Sequence, residues 1–461
     1  MHYHYRSHGR YLGLIPLLTL GAGVAVAWGG EFTPNAAAGV TYTDNVGRSA
    51  TAKQDELMLG LQGGFRYTEN TPRLDADVSG FAVYHYFTQN TFGDELVPRL
   101  RGEANLTLVP ERINWEFQDN LGQIAAGAFG AITPADRQNI NYLTTGPTFL
   151  LPLGGRTDLV TDLRASDVWY ETSNADNRRY AGKVSLDHNL TRLQRVGVSY
   201  YYARTEFGRS DLYRPYDVSS ATLHFNSTSR AGELSVEAGQ TKVDTGTRSD
   251  QGTLFAVSLR RDIGHYTNLI LEIHRDYADA ADTFNFDQSG PITNLFDQNV
   301  QDRADPLLSR RGHVEVSYKR GRSFVRVLGE YSKEQYTNSF FDDRNITTAE
   351  IEFGWQVSPR TSLAASAATL RTRFQQTDAT EDDHQYGLRL RYQMTPTLGL
   401  DTRIDRYTQS ASQQITENRA YLGLTYTRTG SGGLAPSYRF IGGPAGRGTS
   451  GLRNATPPNS P

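Results

Sequence analysis

The sequence predicts an all-β protein: a single antiparallel transmembrane β-barrel of about 20 strands, with roughly 18–20 as the range, short periplasmic turns and long extracellular loops. Three observations carry this. Apolar residues recur at every second position along most of the 461 residues. The connections alternate between short and long, and no run beyond the N-terminal segment is long and apolar enough for a spanning helix. A hydrophobic fraction of 38% and a mean hydropathy of -0.54 are poor material for several packed cores.

The N-terminus is a targeting segment. Arg6 and Arg10 precede the apolar run YLGLIPLLTLGAGVAVAW, interrupted by Pro16, and Ala25-Val26-Ala27 is a small-x-small cleavage site. Residues 1–27 are therefore expected to be a signal peptide and 28–428 the barrel. There is no cysteine, which suits an oxidising compartment and excludes thiol chemistry. The net charge of -3 provides no basic field to attract nucleic acid. Nearly all basic side chains are arginine; Lys53, Lys183, Lys242, Lys319 and Lys333 are the only lysines.

The strands follow from the alternation. The first, AAAGVTYTD, is the weakest. In RLDADVSGFAVYHY (73–86), Leu74, Ala76, Val78, Ala82, Tyr84 and Tyr86 share one face, with Asp75, Asp77, Ser79 and His85 on the other. Leu100, Leu106 and Leu108 alternate with Arg101, Glu103 and Asn105, and Trp115, Phe117 and Leu121 with Glu116, Gln118 and Asn120. Val196, Val198 and Tyr200 continue the pattern, as do Val314 and Val316, then Ile351, Phe353 and Trp355, then Leu398, Leu400 and Ile404.

Short turns fall at TENTP (68–72), VPER (109–112), GGR (154–156), TRL (191–193), GR (321–322), SPR (358–360) and TPT (395–397). Longer loops include TQNTFGDELV (88–97), QIAAGAFGAITPADRQ (123–138), QYTNSFFDDRN (335–345) and TQSASQQITEN (408–418). The longest runs from about Ala278 to Arg310; it reads either as a solvated surface loop or, because loops of such length are usually functional or disordered, as one that folds inward and narrows the lumen. An even strand count returns both ends of the barrel to the periplasm.

Aromatic residues form two girdles, with Trp115, Phe117, Trp355, Tyr392 and Tyr426 at the short-turn ends and Tyr84, Tyr86, Tyr200, Tyr202 and Tyr331 at the long-loop ends. Asp119 and Asp167 share parity with the apolar sets of their strands; either they face outward toward the extracellular half, where the cost of a charge falls, or a local bulge moves them inward.

The polar face supplies the candidate lumen lining: Asp75, Asp77, Arg101, Glu103, Arg164, Lys319, Arg326, Glu330, Arg389, Arg391, Asp401, Arg403 and Asp405. Mixed signs argue against strong ion selectivity, and ion-paired wall residues are the simpler reading of each. No metal or cofactor site is expected, since the histidines are scattered, no HExxH spacing occurs, and the acidic loop lacks a D-x-D-x-D-G pattern. No GxSxG elbow is present, and no catalytic residue is assigned. The segment 429–461, rich in Gly, Pro and Ser, reads as a disordered periplasmic tail.

The stretches FTPNAAAGVTYTDNV and PADRQNINYLTTGPTFLLPLGG resemble the outer-membrane β-barrel proteins of Gram-negative exopolysaccharide loci, including the group associated with the PEP-CTERM sorting system. The resemblance implies a porin-like barrel without an enzymatic reaction, acting in polysaccharide export or assembly. It departs from that pattern at the tail, which leaves Leu422, Leu424 and Tyr426 as an internal assembly signal. The expectation is thus a Gram-negative outer-membrane protein that is not an enzyme, a pore or accessory component for exopolysaccharide export. Its expected partners are outer-membrane lipid, polysaccharide and periplasmic export components. The alternatives are a structural or docking barrel with a plugged lumen, and a lipid- or glycan-modifying enzyme.

Overall fold

A computed structural model describes residues 30–125, 133–279, 281–282, 284, 306–337, 343–411 and 413–428. The expected signal peptide (1–27) and tail (429–461) lie outside the described residues. Lipid offers no hydrogen bonds to a backbone, so strands that cross it must pair on both sides until the ring closes. Twenty strands do so here. The first ten are β1 (Glu31–Thr43), β2 (Glu56–Asn70), β3 (Leu74–Phe87), β4 (Glu95–Val109), β5 (Ile113–Ala125), β6 (Arg137–Gly154), β7 (Thr157–Tyr170), β8 (Asn177–Asn189), β9 (Gln194–Phe207) and β10 (Tyr216–Ser229). The rest are β11 (Gly232–Asp244), β12 (Ser249–Ile263), β13 (Thr267–Ala278), β14 (Leu307–Arg320), β15 (Ser323–Tyr336), β16 (Arg344–Ser358), β17 (Thr361–Phe374), β18 (Thr380–Gln393), β19 (Leu398–Ser410) and β20 (Gln414–Thr427). Each pairs antiparallel with its successor, and β20 pairs with β1. The weak first strand is thereby a full member of the sheet.

A strand of about 14 residues is roughly 45 Å long, and at a tilt near 40° it covers about 35 Å, more than the ~25 Å apolar band. The ladders therefore run on past the lipid. This corrects the expected loop lengths: TQSASQQITEN is mostly strand, with β19 ending at Ser410 and β20 starting at Gln414. Polar residues pair in a ladder as readily as apolar ones once water replaces lipid, and a hydropathy pattern does not see that.

The exposed face carries the apolar set, including Leu61, Leu151, Leu223, Leu388 and Ile404, each at least half exposed. Lipid covers this face. No bulge rescues the two acids of mismatched parity, because the register is continuous at both. Instead each faces outward with a partner: Asn141 Nδ2 donates to Asp119 at 2.7 Å, and Arg178 Nε lies 3.4 Å from Asp167. Seven of the nine short turns carry an exposed arginine (Arg73, Arg112, Arg156, Arg192, Arg230, Arg322 and Arg360), none in an ion pair among the described residues. Their long stems let the guanidinium groups reach the headgroup layer below the aromatic girdle.

The seam between β20 and β1 is built by omission of side chains. Tyr421 lies over Gly39 and Gly423, which face each other in register. A Cβ at Gly423 would fall 2.1 Å from the Tyr421 hydroxyl, and one at Gly39 would fall 2.6 Å from its ring. Replacing Gly423 with valine should therefore lift the ring from the seam and cost about 1–3 kcal/mol. Urea unfolding of detergent-folded barrels should show an earlier midpoint than the same substitution at Gly63, where a Cβ meets nothing.

Candidate functional site

The candidate site is the lumen. All thirteen residues of the expected lining stand on the strand face opposite the exposed apolar set. Their partners differ around the ring. On β14 to β16, Arg326 is wedged among Glu315 (3.6 Å), Glu352 (3.6 Å) and Glu350, with every side chain nearly sealed from solvent. On β18 and β19, Arg389 Nε donates to Asp401 at 2.8 Å, Arg391 lies 3.5 Å from the same carboxylate, and Arg403 bonds Asp405 at 2.5 Å. Glu330 approaches His313 (3.5 Å) and Arg311 (3.8 Å). The opposite arc is more open. Arg66 and Asp77 pair at 2.8 Å with each side chain more than half exposed, Arg101 and Glu103 pair at 3.1 Å, and Arg164 meets Glu116 at 2.5 Å. Asp75 is exposed on β3, and Lys319 at the short-turn end of β14.

At the long-loop end the inner face changes character. Ile124, Ile140, Tyr142, Val168, Tyr170, Phe207, Tyr216 and Val243, all inward, are buried in one apolar cluster with Ala281 and Phe284. Those last two belong to the segment after β13, which crosses the lumen toward β6–β10. Asp279 and Asp282 open its helical turn reciprocally: the Asp282 amide donates to Asp279 (3.0 Å), and the Asp279 amide to Asp282 (3.3 Å). Arg179 of β8 then holds the turn, donating to Asp279 at 2.5 Å and to Asp282 at 2.6 Å, and the Tyr216 hydroxyl donates to Asp279 at 2.7 Å. Asn177 accepts from Arg179 Nε, and the Tyr142 ring lies beneath the guanidinium at 5.4 Å. Burial raises the Asp282 carboxyl above its ordinary value, with Arg179 pulling it down and Asp279 adding to the rise. Asp279, Ala281, Asp282 and Phe284 thus lie inward, whereas 280, 283 and 285–305, and with them most of the expected inward fold, lie outside the described residues.

A second loop dips in beside the seam. Arg48 Nε donates to Glu417 at 3.0 Å with its guanidinium 4.2 Å from the Tyr407 ring centre, and Asn45 donates to the Ser49 and Thr416 carbonyls. Burial lowers the Arg48 pKa, and the nearby Arg419 charge adds to that.

Neither the Arg179 clamp nor the Arg48 pair is in the expected lining. The signals existed. In Gln138–Tyr142 the alternation inverts, placing Ile140 and Tyr142 inward, and Asp279-Ala-Ala-Asp282 has capping spacing.

The geometry holds little catalytic promise. His224 Nε2 lies 2.7 Å from Asp187, but His224 Nδ1 has no partner. The neighbouring hydroxyls of Ser199 and Thr222 bond each other, and Thr222 bonds Glu237. Among the described residues no group of three His, Asp or Glu is placed to hold a metal.

No family model and no curated protein matches this sequence. Among solved structures the chain is similar to the ferric enterobactin receptor of Pseudomonas aeruginosa, at 9% identity and a TM-score of 0.47 over 86% of this chain and 80% of that one. It is similar to the siderophore receptor PirA of the same organism, at 11% and 0.43 over 87% and 80%. It is also similar to the FrpB iron transporter of Neisseria meningitidis, at 8% and 0.45 over 86% and 82%. The protein is an outer-membrane β-barrel.

The resemblance to exopolysaccharide-locus and PEP-CTERM-associated barrels is corrected by these matches, which are iron and siderophore receptors. Its physical cause is plain. The first stretch behind it is β1 with its following turn, and the second is β6 with its flanking turns, segments made of the strand rhythm that unrelated barrels share. Polysaccharide and export partners fall with it, and outer-membrane lipid stands.

The sealed network around Arg326 can be tested directly. Arg326→Met would leave Glu315, Glu350 and Glu352 facing one another without their cation, at a cost of about 3–5 kcal/mol. Urea unfolding should show that loss, while Arg66→Met on the open arc should shift the midpoint little.

Proposed function

We propose that this barrel is a narrow channel for small polar solutes, with its resistance set at the extracellular mouth by the segment Asp279–Phe284. The observation that supports the reading most is the Arg179 clamp. Two carboxylates and one guanidinium hold the segment across the lumen, while its apolar side chains fill a cluster that has no role in closing the sheet. Below it, the lining of both signs would pass solutes with little preference for charge. Transport rather than catalysis fits a wall whose His–Asp contact lacks a nucleophile. Removal of residues 1–27 on export and a periplasmic tail at 429–461 complete the proposed organisation.

The rival reading, a structural barrel plugged by its own side chains, is favoured by one observation: the Arg48–Glu417 pair closes a second part of the same mouth. Planar-bilayer conductance separates the two. Arg179→Ala removes two charge-assisted hydrogen bonds, at least about 3 kcal/mol together. That is roughly a hundredfold shift toward the released segment. Single channels of the variant, and of a chain lacking residues 280–305, should conduct more than the parent. Unchanged conductance in both would reject the segment as the constriction, and the absence of any channel in all three proteins would favour the plugged barrel.

A further inference from the structure

The outer face carries a row of charge that the sheet itself does not balance. Arg275 on β13 lies directly opposite Arg310 on β14, and Arg310 directly opposite Lys333 on β15. All three share parity with lipid-facing residues of their strands: Ile273, Val314 and Val316, Val327 and Tyr331. Like charges directly opposed across a ladder are destabilising, with Cβ atoms only about 4.5–5.5 Å apart. In open water salt would screen them; partly buried charges at a bilayer surface are screened less.

Several cations elsewhere on this face are matched. Arg178 has Asp167 (3.4 Å), Arg204 has Glu206 (2.7 Å), Lys242 has Asp244 (3.4 Å), Arg371 has Asp382 (2.5 Å) and Arg373 has Asp378 (2.8 Å). Arg261 and Arg406 stand singly, and Arg320 lies over the Tyr266 ring (5.4 Å), but none of these faces a second cation across the ladder. The row has no such partner among the described residues, and the Nε atoms of Arg275 and Arg310 are buried without a hydrogen-bond acceptor. Its neighbours in register are Phe255 and Asn345, and the outward positions above and below it on β13–β15 hold Ile273, Tyr277, Leu308, Gly312, Tyr331 and Gln335. None is acidic.

We propose that this row binds the phosphate of an outer-leaflet lipid. Arg275 is three residues from the end of β13, Arg310 the fourth residue of β14, and Lys333 three from the end of β15. That places the charges within about 10 Å of the long-loop rim, at headgroup depth. A phosphate monoester offers several acceptor oxygens to guanidinium forks, and one such group can bridge cations on adjacent strands. The apolar and aromatic flanks suit acyl chains, so a lipid gains contacts there that inorganic phosphate cannot make.

Native mass spectrometry of the full barrel, folded in detergent and titrated with bisphosphorylated lipid A, tests this. The parent should retain the lipid, and R275Q/R310Q/K333Q should retain it at least about tenfold less, while R275K/R310K keeps most of it. All three proteins should show the same heat-modifiable migration, which establishes the fold. Equal retention by parent and triple variant would overturn the proposal, as would equal retention of lipid A stripped of both phosphates. Millimolar inorganic phosphate should not displace the lipid; full displacement would assign the row to the free anion instead.

Discussion

Backbone hydrogen bonding in a solvent that offers none is the constraint from which the rest of this structure follows. Every N–H and C=O within the bilayer must find a partner in a neighbouring strand. One unpaired edge would expose a full column of such groups, so the weak first strand must close the ring. Its small inward residues make sense at that seam. Gly39 opposite Gly423 leaves room for the Tyr421 ring to span two strands, and the closing pair gains side-chain contact where β1 has little of its own.

Turning the apolar set toward lipid leaves no hydrophobic core in the usual sense, and the interior must be held in another way. Much of the wall uses ion pairs, densest around Arg326 and Asp401. Partial burial makes them interdependent, since Arg326 serves three carboxylates and Asp401 is shared by two arginines. Glycine creates some of these contacts. Asp187 and His224 lie on β8 and β10, and they meet across β9 only because position 197 lacks a side chain: a Cβ there would sit 2.5 Å from the His224 ring. Near the long-loop end a small apolar core does form, and it requires a segment from outside the sheet to complete it.

The barrel was legible in the sequence because lipid imposes one rule on every strand, and a rule repeated twenty times survives local noise. Inward positions such as Asp77, Arg326 and Asp405 follow from the same parity. Loop lengths were less legible, as at TQSASQQITEN, because ladders continue into water, where hydropathy carries no signal. The clamp was not legible as a contact. Arg179 and Asp279 are 100 residues apart, and nothing local to either marks the other, although DAAD and the inverted alternation before Tyr142 mark where something unusual happens. Family resemblance failed for a related reason: the motifs behind it report strand-forming chemistry, which unrelated barrels share.

The two ends of the lumen differ in a way that bears on transport. Arg66 and Asp77 remain more than half exposed, and an ion pair so wetted contributes little to stability and leaves a passing solute room. At the other end Arg179 is almost fully enclosed by its carboxylates and the Tyr142 ring. A charge buried that thoroughly cannot be left alone without a large desolvation cost. Release of the segment therefore requires water, or a solute carrying its own anion, to take over the guanidinium. On the channel reading proposed above, opening would exchange the contacts of Arg179 with Asp279 and Asp282 for contacts with water or an anion.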